Sequence, residues 1–244
     1  MKLIFIRHGE PDYTIDSLTE KGWREAEILS NRMAKTKMDY IYVSPLGRAK
    51  DTAKPTLEKT GRSAIELPWL QEFPIWIPKL DGKEGEMKVA WDWLPEDWAE
   101  TEYFYDKDKW DQNPVLKEYK AGEEVNMINT NFDNLLKEHG YERDGNMYKV
   151  IKANNDTIVF FCHFALTCVL LGHLLGVSPM VMWHGFCAAP TSVTTVATEE
   201  RRAGKAIFRM LSYGDTSHLY EAGEPISFAA RFCECYDNKD ERHD

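Results

Sequence analysis

The sequence lacks a long hydrophobic run, an excess of positive charge and a regular set of cysteines. No apolar stretch reaches the roughly 18 residues of a membrane-spanning helix, and no basic region or apolar signal core precedes the first strand-like segment. With 30 Lys and Arg against 40 Asp and Glu, the formal net charge is −10, which disfavours general binding to nucleic acid or anionic membranes. We expect a cytoplasmic protein that binds any phosphate through a local site.

Cysteine is scarce and odd in number. Cys162 and Cys168 are two of the five cysteines and stand among apolar residues, so we expect free thiols in a reducing compartment. Cys233 and Cys235 could bind a metal, but thiols one residue apart lack the spaced four-ligand pattern of a zinc site. Neither a metal nor a cofactor is predicted.

An apolar run at the start of the chain ends abruptly in Arg7, His8 and Gly9. The run predicts a buried strand that places Arg7 and His8 at its carboxyl end, where open α/β sheets bind ligands. An ordinary surface loop is the alternative for an Arg-His pair at this position. The helix predicted next has Thr19 as its N-cap and an apolar stripe at helical spacing.

Two later predicted strands end in the same kinds of side chain. The strand at 39–43 precedes a helix with Arg48 in its first turn, and the strand at 157–161 precedes His163 and an apolar helix. Since the carboxyl ends of neighbouring parallel strands meet at one edge, we expect both side chains to converge with those of the first strand. Glu72 has apolar neighbours that would raise the pKa of its carboxyl group.

The alternation of strands and helices predicts one α/β domain over residues 1–244, a three-layer α/β/α structure with a mostly parallel central sheet. Residues 73–121 interrupt this pattern and hold five of the eight tryptophans. The segment is too aromatic for disorder, so we expect a partly helical insertion that caps the active site and contacts substrate. The alternative is that these tryptophans form a small core of the insertion's own. Further expected elements are a hairpin or long loop over 141–155 and two strands joined by a charged turn at 199–204.

Taken in order, the motifs resemble the histidine phosphatase superfamily, also called phosphoglycerate mutase-like, in its branch of small phosphatases and mutases. The resemblance implies that His8 is the nucleophile that accepts the phosphoryl group and that Glu72 protonates the leaving group. It also implies that Arg7, Arg48 and His163 bind the phosphoryl oxygens. Gly9 and Phe164 would complete the phosphate site. The matching segments are Arg7-His8-Gly9-Glu10, Leu18-Thr19 with Gly22, Ser44-Pro45-Leu46-Gly47-Arg48-Ala49, Glu72, Cys162-His163, Pro190-Thr191-Ser192-Val193 and Gly214-Asp215-Thr216-Ser217-His218-Leu219.

The chain departs from the family's pattern at three positions. Many members have Ser or Thr, and Asn three residues later, where this chain has Pro11 and Thr14. The usual side-chain contacts from that loop to phosphate are therefore in doubt. Phe164 stands where Gly is common, which keeps the backbone amide and adds bulk beside the pocket.

The expected function is a metal-independent phosphomonoester hydrolase that forms a phosphohistidine and needs no cofactor. Two alternatives stay open, a phosphoglycerate mutase and a non-catalytic module that binds a phosphorylated ligand. A mutase should carry further basic residues, and the acid-rich insertion offers few. The expected partner is a small phosphomonoester, not nucleic acid or a membrane, and a homodimer is left open. We assign structural or surface roles to the other histidines, His139, His173, His184, His218 and His243.

Overall fold

The computed structural model of the protein describes residues 1–80, 82, 85–230 and 233–243. Its strands are β1 (Lys2–Arg7), β2 (Pro11–Asp12), β3 (Ser17–Leu18), β4 (Tyr40–Val43), β5 (Ile65–Glu66), β6 (Trp76–Pro78), β7 (Met87–Val89), β8 (Tyr141–Asp144), β9 (Met147–Val150), β10 (Thr157–Cys162), β11 (Val193–Arg202) and β12 (Lys205–Asp215). Its α-helices are α1 (Glu20–Met33), α2 (Gly47–Thr60), α3 (Pro95–Trp98), α4 (Pro114–Glu118), α5 (Ala121–Glu138), α6 (Phe164–Leu175), α7 (Pro179–Gly185) and α8 (Ser217–Ala222). No helix among these residues is long and apolar enough to cross a membrane.

The central sheet has eight strands in the order β5-β4-β10-β1-β11-β12-β9-β8. Strands β5, β4, β10 and β1 pair in parallel, and the remaining pairs are antiparallel. Each antiparallel pairing reverses the strand direction, so two successive pairings restore it. Strands β12 and β8 therefore run parallel to β1, and six of the eight strands point the same way. The parallel half contains the strand ends from which the sequence predicted a site.

Both faces of the sheet are covered, which confirms the expected α/β fold. Alternate residues of a strand point to opposite faces, and β1 shows this directly. Leu3 and Phe5 pack in one buried cluster with residues of α5 and α6, whereas Ile4 and Ile6 pack in a second cluster with residues of α1 and α2. The helices therefore form two outer layers around the sheet.

The hairpin expected within residues 141–155 is present, whereas the predicted charged turn is shorter than expected. Residues 141–155 begin with the β8–β9 hairpin, which turns at Gly145 with a φ of +60° and extends the central sheet through β9 and β12. The charged turn predicted at 199–204 is mostly strand, since β11 continues to Arg202 and β12 starts at Lys205. The charged side chains of this segment lie at the strand ends. One of them, Glu199, pairs across the hairpin with Arg209 of β12, whose Nε lies 2.9 Å from the carboxylate.

The insertion contains the β6–β7 hairpin, two short helices and two 3₁₀ turns. Its side chains Trp93, Phe104 and Trp110 are buried in the same cluster as α6 and α7. The rings of Trp110 and Trp183 meet edge to face with their centroids 5.5 Å apart. These aromatic side chains therefore extend the core of the sheet and do not form a separate one.

Candidate active site

Two histidines lie side by side because β1 and β10 are neighbours in register. Arg7 pairs with Cys162 at the ends of these strands, so His8 and His163 leave the sheet at the same level. Their ring centroids are 5.2 Å apart, with 56° between the ring planes. Both side chains are buried.

The ring of His8 is held with one nitrogen available for attack. Its Nδ1 lies 2.8 Å from the carbonyl oxygen of Gly9. Because a carbonyl oxygen only accepts, Nδ1 carries the hydrogen and Nε2 keeps its lone pair. Burial, reinforced by the charge of Arg7, lowers the pKa of His8 well below 6.5. The ring is therefore a neutral imidazole at neutral pH, the form that a nucleophile requires.

His163 is the N-cap residue of α6 and is fixed by Ser44, whose Oγ lies 2.7 Å from His163 Nε2. Its Nδ1 is buried and has no partner within the described structure. Burial and the neighbouring cationic groups lower the pKa of His163 well below 6.5. The His163 ring is therefore neutral at neutral pH, and an incoming anion would favour its protonation.

Two guanidinium groups stand beside the histidines. Arg7 Nη1 donates to the carbonyl oxygen of Ala188 at 2.6 Å, and Arg48 Nη1 pairs with Asp16 Oδ1 at 2.6 Å. In each arginine the Nε atom is buried and has no partner in the part of the chain that is described. Together with His163 Nδ1, these atoms are three unsatisfied polar groups on residues of one site. Since buried donors nearly always have partners, the cluster indicates an anion site.

Glu72 lies at the start of the insertion, against the first turn of α6. Its Oε1 accepts hydrogen bonds from the amides of Phe73 and Leu166, each at 3.0 Å. Burial raises the pKa of the Glu72 carboxyl above 4.5, although the two amides and the site's arginines oppose the shift. The carboxyl group therefore keeps its proton to higher pH than an ordinary Glu, as a general acid needs.

Gly9 and Phe164 were expected to complete the phosphate site. They differ in whether the backbone amide is already hydrogen-bonded. The Gly9 amide donates to Thr52 Oγ1 at 2.8 Å, and a Cβ at this glycine would lie 2.9 Å from the carbonyl oxygen of Gly22. Its backbone groups are thus engaged and close packing explains the glycine, so we leave Gly9 out of the proposed phosphate site. Phe164 begins α6, where the first amide has no intrahelical acceptor, and its ring centroid lies 5.7 Å from Arg7 Cζ.

The two positions at which the loop after Gly9 departs from the family pattern, Pro11 and Thr14, offer no hydroxyl to this site. Thr14 Oγ1 donates instead to Asp12 Oδ1 at 2.6 Å, and Pro11 lies in β2. Tyr13 places its ring 5.4 Å from Arg48 Cζ. Tyr13, which lies between the two positions that depart from the family pattern, therefore places a ring beside Arg48.

Several supporting residues escaped the sequence argument. Asp16 has a φ of +47° and accepts from the Gly47 amide as well as from Arg48. Thr191 has a φ of +57°, and its amide lies within 3.2 Å of the carbonyl oxygens of Arg7 and His8. The motif around Thr191 was visible in the sequence, but its role depends on contact with a distant strand. Nothing in the sequence distinguishes Asp16 from other loop acids.

The remaining histidines lie outside this cluster. The described residues contain no group of three or more His, Cys, Asp or Glu that could hold a metal ion. The Cys233 sulfur, considered above as a metal ligand, lies 3.1 Å from Nε2 of His243. The partners of the other rings are Tyr42 for His139, Asp133 for His173, Met180 and Trp93 for His184, Arg32 and Thr191 for His218, and Tyr236 for His243.

Fold and site together define an enzyme of the phosphatase and mutase type, and comparison with known proteins gives its family. The chain belongs to the histidine phosphatase superfamily (branch 1), whose family model matches residues 3–208. It is 25% identical to phosphoserine phosphatase 1 of Hydrogenobacter thermophilus over 83% of this chain and 89% of the relative. A 2,3-bisphosphoglycerate-dependent phosphoglycerate mutase of Bartonella tribocorum is 36% identical over 27% of this chain and 37% of its own length.

A solved structure supports the same fold. The phosphoserine phosphatase of Entamoeba histolytica, determined as a mutant in complex with phosphoserine, aligns with a TM-score of 0.56 at 20% identity. The alignment covers 89% of this chain and 98% of that one. The family resemblance inferred from the sequence motifs is confirmed by the family model that matches residues 3–208.

Proposed function

We propose that the protein is a metal-independent phosphomonoester hydrolase that acts on a small phosphorylated metabolite through a phosphohistidine at His8. One observation carries this proposal. The unprotonated Nε2 of His8 belongs to the same site as three buried polar atoms without partners in the described structure, on Arg7, Arg48 and His163. A phosphoryl group would satisfy those atoms while its phosphorus faces the nucleophile.

The first chemical step transfers the phosphoryl group to the protein. His8 Nε2 forms a bond to phosphorus as the bond from phosphorus to the ester oxygen breaks. The guanidinium groups of Arg7 and Arg48 stabilise the charge on the phosphoryl oxygens, because a rigid donor fork can contact two oxygens at once. Glu72 gives its proton to the departing oxygen, so a neutral alcohol leaves.

The second step returns the enzyme to its initial state. Glu72, now a carboxylate, takes a proton from water as the water oxygen attacks phosphorus. The bond from phosphorus to His8 Nε2 breaks, inorganic phosphate leaves, and Glu72 is protonated again.

A phosphoglycerate mutase is the second candidate, favoured by the local similarity to the Bartonella mutase. It differs only in the acceptor, since the phosphoryl group passes to a rebound product and not to water. The similarity to a phosphoserine phosphatase over most of the chain supports hydrolysis. Transfer of label from the phosphoenzyme to added 3-phosphoglycerate, with little free phosphate formed, would favour the mutase.

The test is to trap the phosphoenzyme. Brief incubation with a ³²P-labelled monoester and a rapid alkaline quench should give a base-stable, acid-labile labelled protein. His8→Ala should give none, and His139→Ala, a histidine that contacts Tyr42 elsewhere, should label normally. An acid-stable phosphoserine, or full labelling of His8→Ala, would contradict the mechanism. Absence of both label and hydrolysis, with phosphate esters still bound, would favour the binding module.

A further inference from the structure

A cavity of about 630 Å³ lies between the insertion and the C-terminal segment, defined as residues 224–230 and 233–243, and Phe164 is part of its lining. Its walls come from three parts of the chain. They include Trp91 and Trp98 from the insertion, Phe164 and His184 from α6 and α7, and Tyr236 and Arg242 from the C-terminal segment. The cavity is therefore lined largely by rings.

Phe164 joins this aromatic cavity to the phosphate site. One neighbour of its ring is the Arg7 guanidinium at 5.7 Å, and the other is the Trp91 ring at 5.9 Å. A monoester whose phosphate contacts Arg7 can thus extend its alcohol past Phe164 into the cavity. The location fits the leaving group of the reaction.

Trp91, which lines the cavity, carries a buried donor that bears on the choice of ligand. The indole nitrogen of Trp91, Nε1, is buried and has no partner among the described residues. An unmatched buried N–H is costly, so a ligand with a hydrogen-bond acceptor at this point would gain from the contact. An alcohol with only alkyl or ammonium groups would leave the donor unmatched.

The charge of the cavity disfavours polyanions. Arg242 is paired with Asp92 at 2.5 Å, while Glu96 adds a negative charge to the wall. Burial lowers the pKa of His184 to about 4, so its ring is neutral at pH 7. That ring is stacked on Trp98 with the planes at 27°, which gives one wall a flat apolar surface.

The C-terminal segment is attached to both sides of the site. Near one end the Ser227 hydroxyl donates to the carboxylate of Glu10, which follows His8 and Gly9. Near the other end Arg242 binds Asp92 of the insertion. The whole segment lies beyond residues 3–208, which match the family model. The part of the cavity wall formed by the C-terminal segment therefore lies outside the region that the family model describes.

We propose that the aromatic cavity binds the alcohol part of the substrate, and that this alcohol is neutral, planar and ring-bearing, with an acceptor for Trp91 Nε1. Tyr236 and Arg242 set the specificity from the C-terminal segment. The proposal rests on the proposed hydrolase function, because it assigns the leaving group of that reaction. A bisphosphate or a phosphorylated carboxylic acid would meet an acidic wall with no unpaired cation described in it.

The first test compares kcat/KM for a nucleoside 5′-monophosphate with that for phosphocholine, phosphoserine, 3-phosphoglycerate and fructose 2,6-bisphosphate. We expect the nucleotide to be preferred by at least about tenfold. Trp91→Phe keeps a ring and removes the donor, so it should lower kcat/KM for the nucleotide by about fivefold, the scale of one hydrogen bond, without affecting phosphocholine. Tyr236→Ala should raise KM for the nucleotide alone. Trp76→Phe, an exposed insertion tryptophan outside the cavity, is the matched control and should change nothing.

The second test measures binding without chemistry. A nucleoside lacking phosphate should bind by calorimetry, inhibit competitively with the nucleotide, and bind more weakly to Trp91→Phe. Three outcomes would overturn this proposal without contradicting the proposed hydrolase function. The first is a preference for phosphoserine, 3-phosphoglycerate or fructose 2,6-bisphosphate. The others are an equal loss of kcat/KM on all substrates in Trp91→Phe, and nucleoside binding that leaves turnover of the nucleotide unchanged. If no monoester, including p-nitrophenyl phosphate, is hydrolysed, the proposed function fails instead, and the calorimetry still decides what the cavity binds.

Discussion

The hydroxyl oxygen of Ser44 lies 2.7 Å from His163 Nε2 and also accepts the amide of Leu46 at 3.2 Å. A hydroxyl has one hydrogen to donate, and among the described residues His163 Nε2 is the acceptor within hydrogen-bond distance of Ser44 Oγ, so the hydroxyl hydrogen points to that nitrogen. The neutral ring then carries its own hydrogen on Nδ1, which is the atom without a partner in the described structure. Ser44 thus selects the tautomer that presents a donor to the phosphoryl group.

Ser44→Ala should lower kcat/KM by about tenfold, since one hydrogen bond that orients a catalytic group is removed. Inhibition by inorganic phosphate should weaken by a similar factor, and Ser44→Thr should restore most of both. Ser30→Ala removes another fully buried serine, one that bonds to Glu27 in α1, and should leave phosphate inhibition unchanged. Equal phosphate inhibition in wild type and Ser44→Ala would show that Ser44 does not orient His163.

Glu72→Gln tests the general acid with little change of shape, since a Gln oxygen can still accept from Phe73 and Leu166. Turnover of alkyl phosphates should fall by about 10²-fold, the usual scale for such a group. Turnover of p-nitrophenyl phosphate should change little, because its leaving group departs without a proton. Wild-type activity on alkyl phosphates should decline as pH rises through the raised pKa of Glu72, and the variant should lack this decline. Equal losses on both substrates would mean that Glu72 only positions groups.

The sequence was informative where function depends on strand order. The apolar runs at 1–6 and 157–161 and the polar residues after them were enough to predict that Arg7, His8 and His163 converge, because parallel strands align their ends. Asp16 and Ser44 were not assigned roles, since their importance comes from side-chain contacts across the site. Trp93 and Trp110 could not be placed either, because aromatic composition does not say which core a ring joins.

Chelators should leave hydrolysis intact, because in the proposed mechanism Arg7 and Arg48 provide the positive charge that a metal ion provides elsewhere. The assay is turnover after exhaustive EDTA treatment and gel filtration, with and without added magnesium or zinc. Vanadate, which can occupy the phosphoryl site, should inhibit competitively, and Arg48→Gln should weaken that inhibition. Loss of most activity with EDTA and its recovery with a metal would require a different account of the site.

Glu25 of α1 is a buried acid close to the His8 loop. Its Oε2 accepts from the Glu10 amide at 2.9 Å, whereas Oε1 is buried and lacks a partner within the described residues. Burial raises the pKa of Glu25 from 4.5 to about 7. Between these two pH values the folded protein binds a proton that the unfolded chain releases, so stability should fall as pH rises through this window.

Glu25→Gln keeps an acceptor for Glu10 and removes the charge, so it should stabilise the protein at pH 8 and have little effect at pH 4.5. Since a tenfold change in proton affinity corresponds to about 1.4 kcal/mol, the pKa shift from 4.5 to about 7 limits the gain in unfolding free energy at pH 8 to at most about 3.5 kcal/mol. Denaturant unfolding at pH 5, 6.5 and 8 measures it. Glu27→Gln, an exposed acid on the same helix that pairs with Lys59, is the control and should show no such pH-dependent gain. If both variants show the same pH profile as the wild type, Glu25 is ionised in the folded protein at pH 5 and its burial costs nothing measurable.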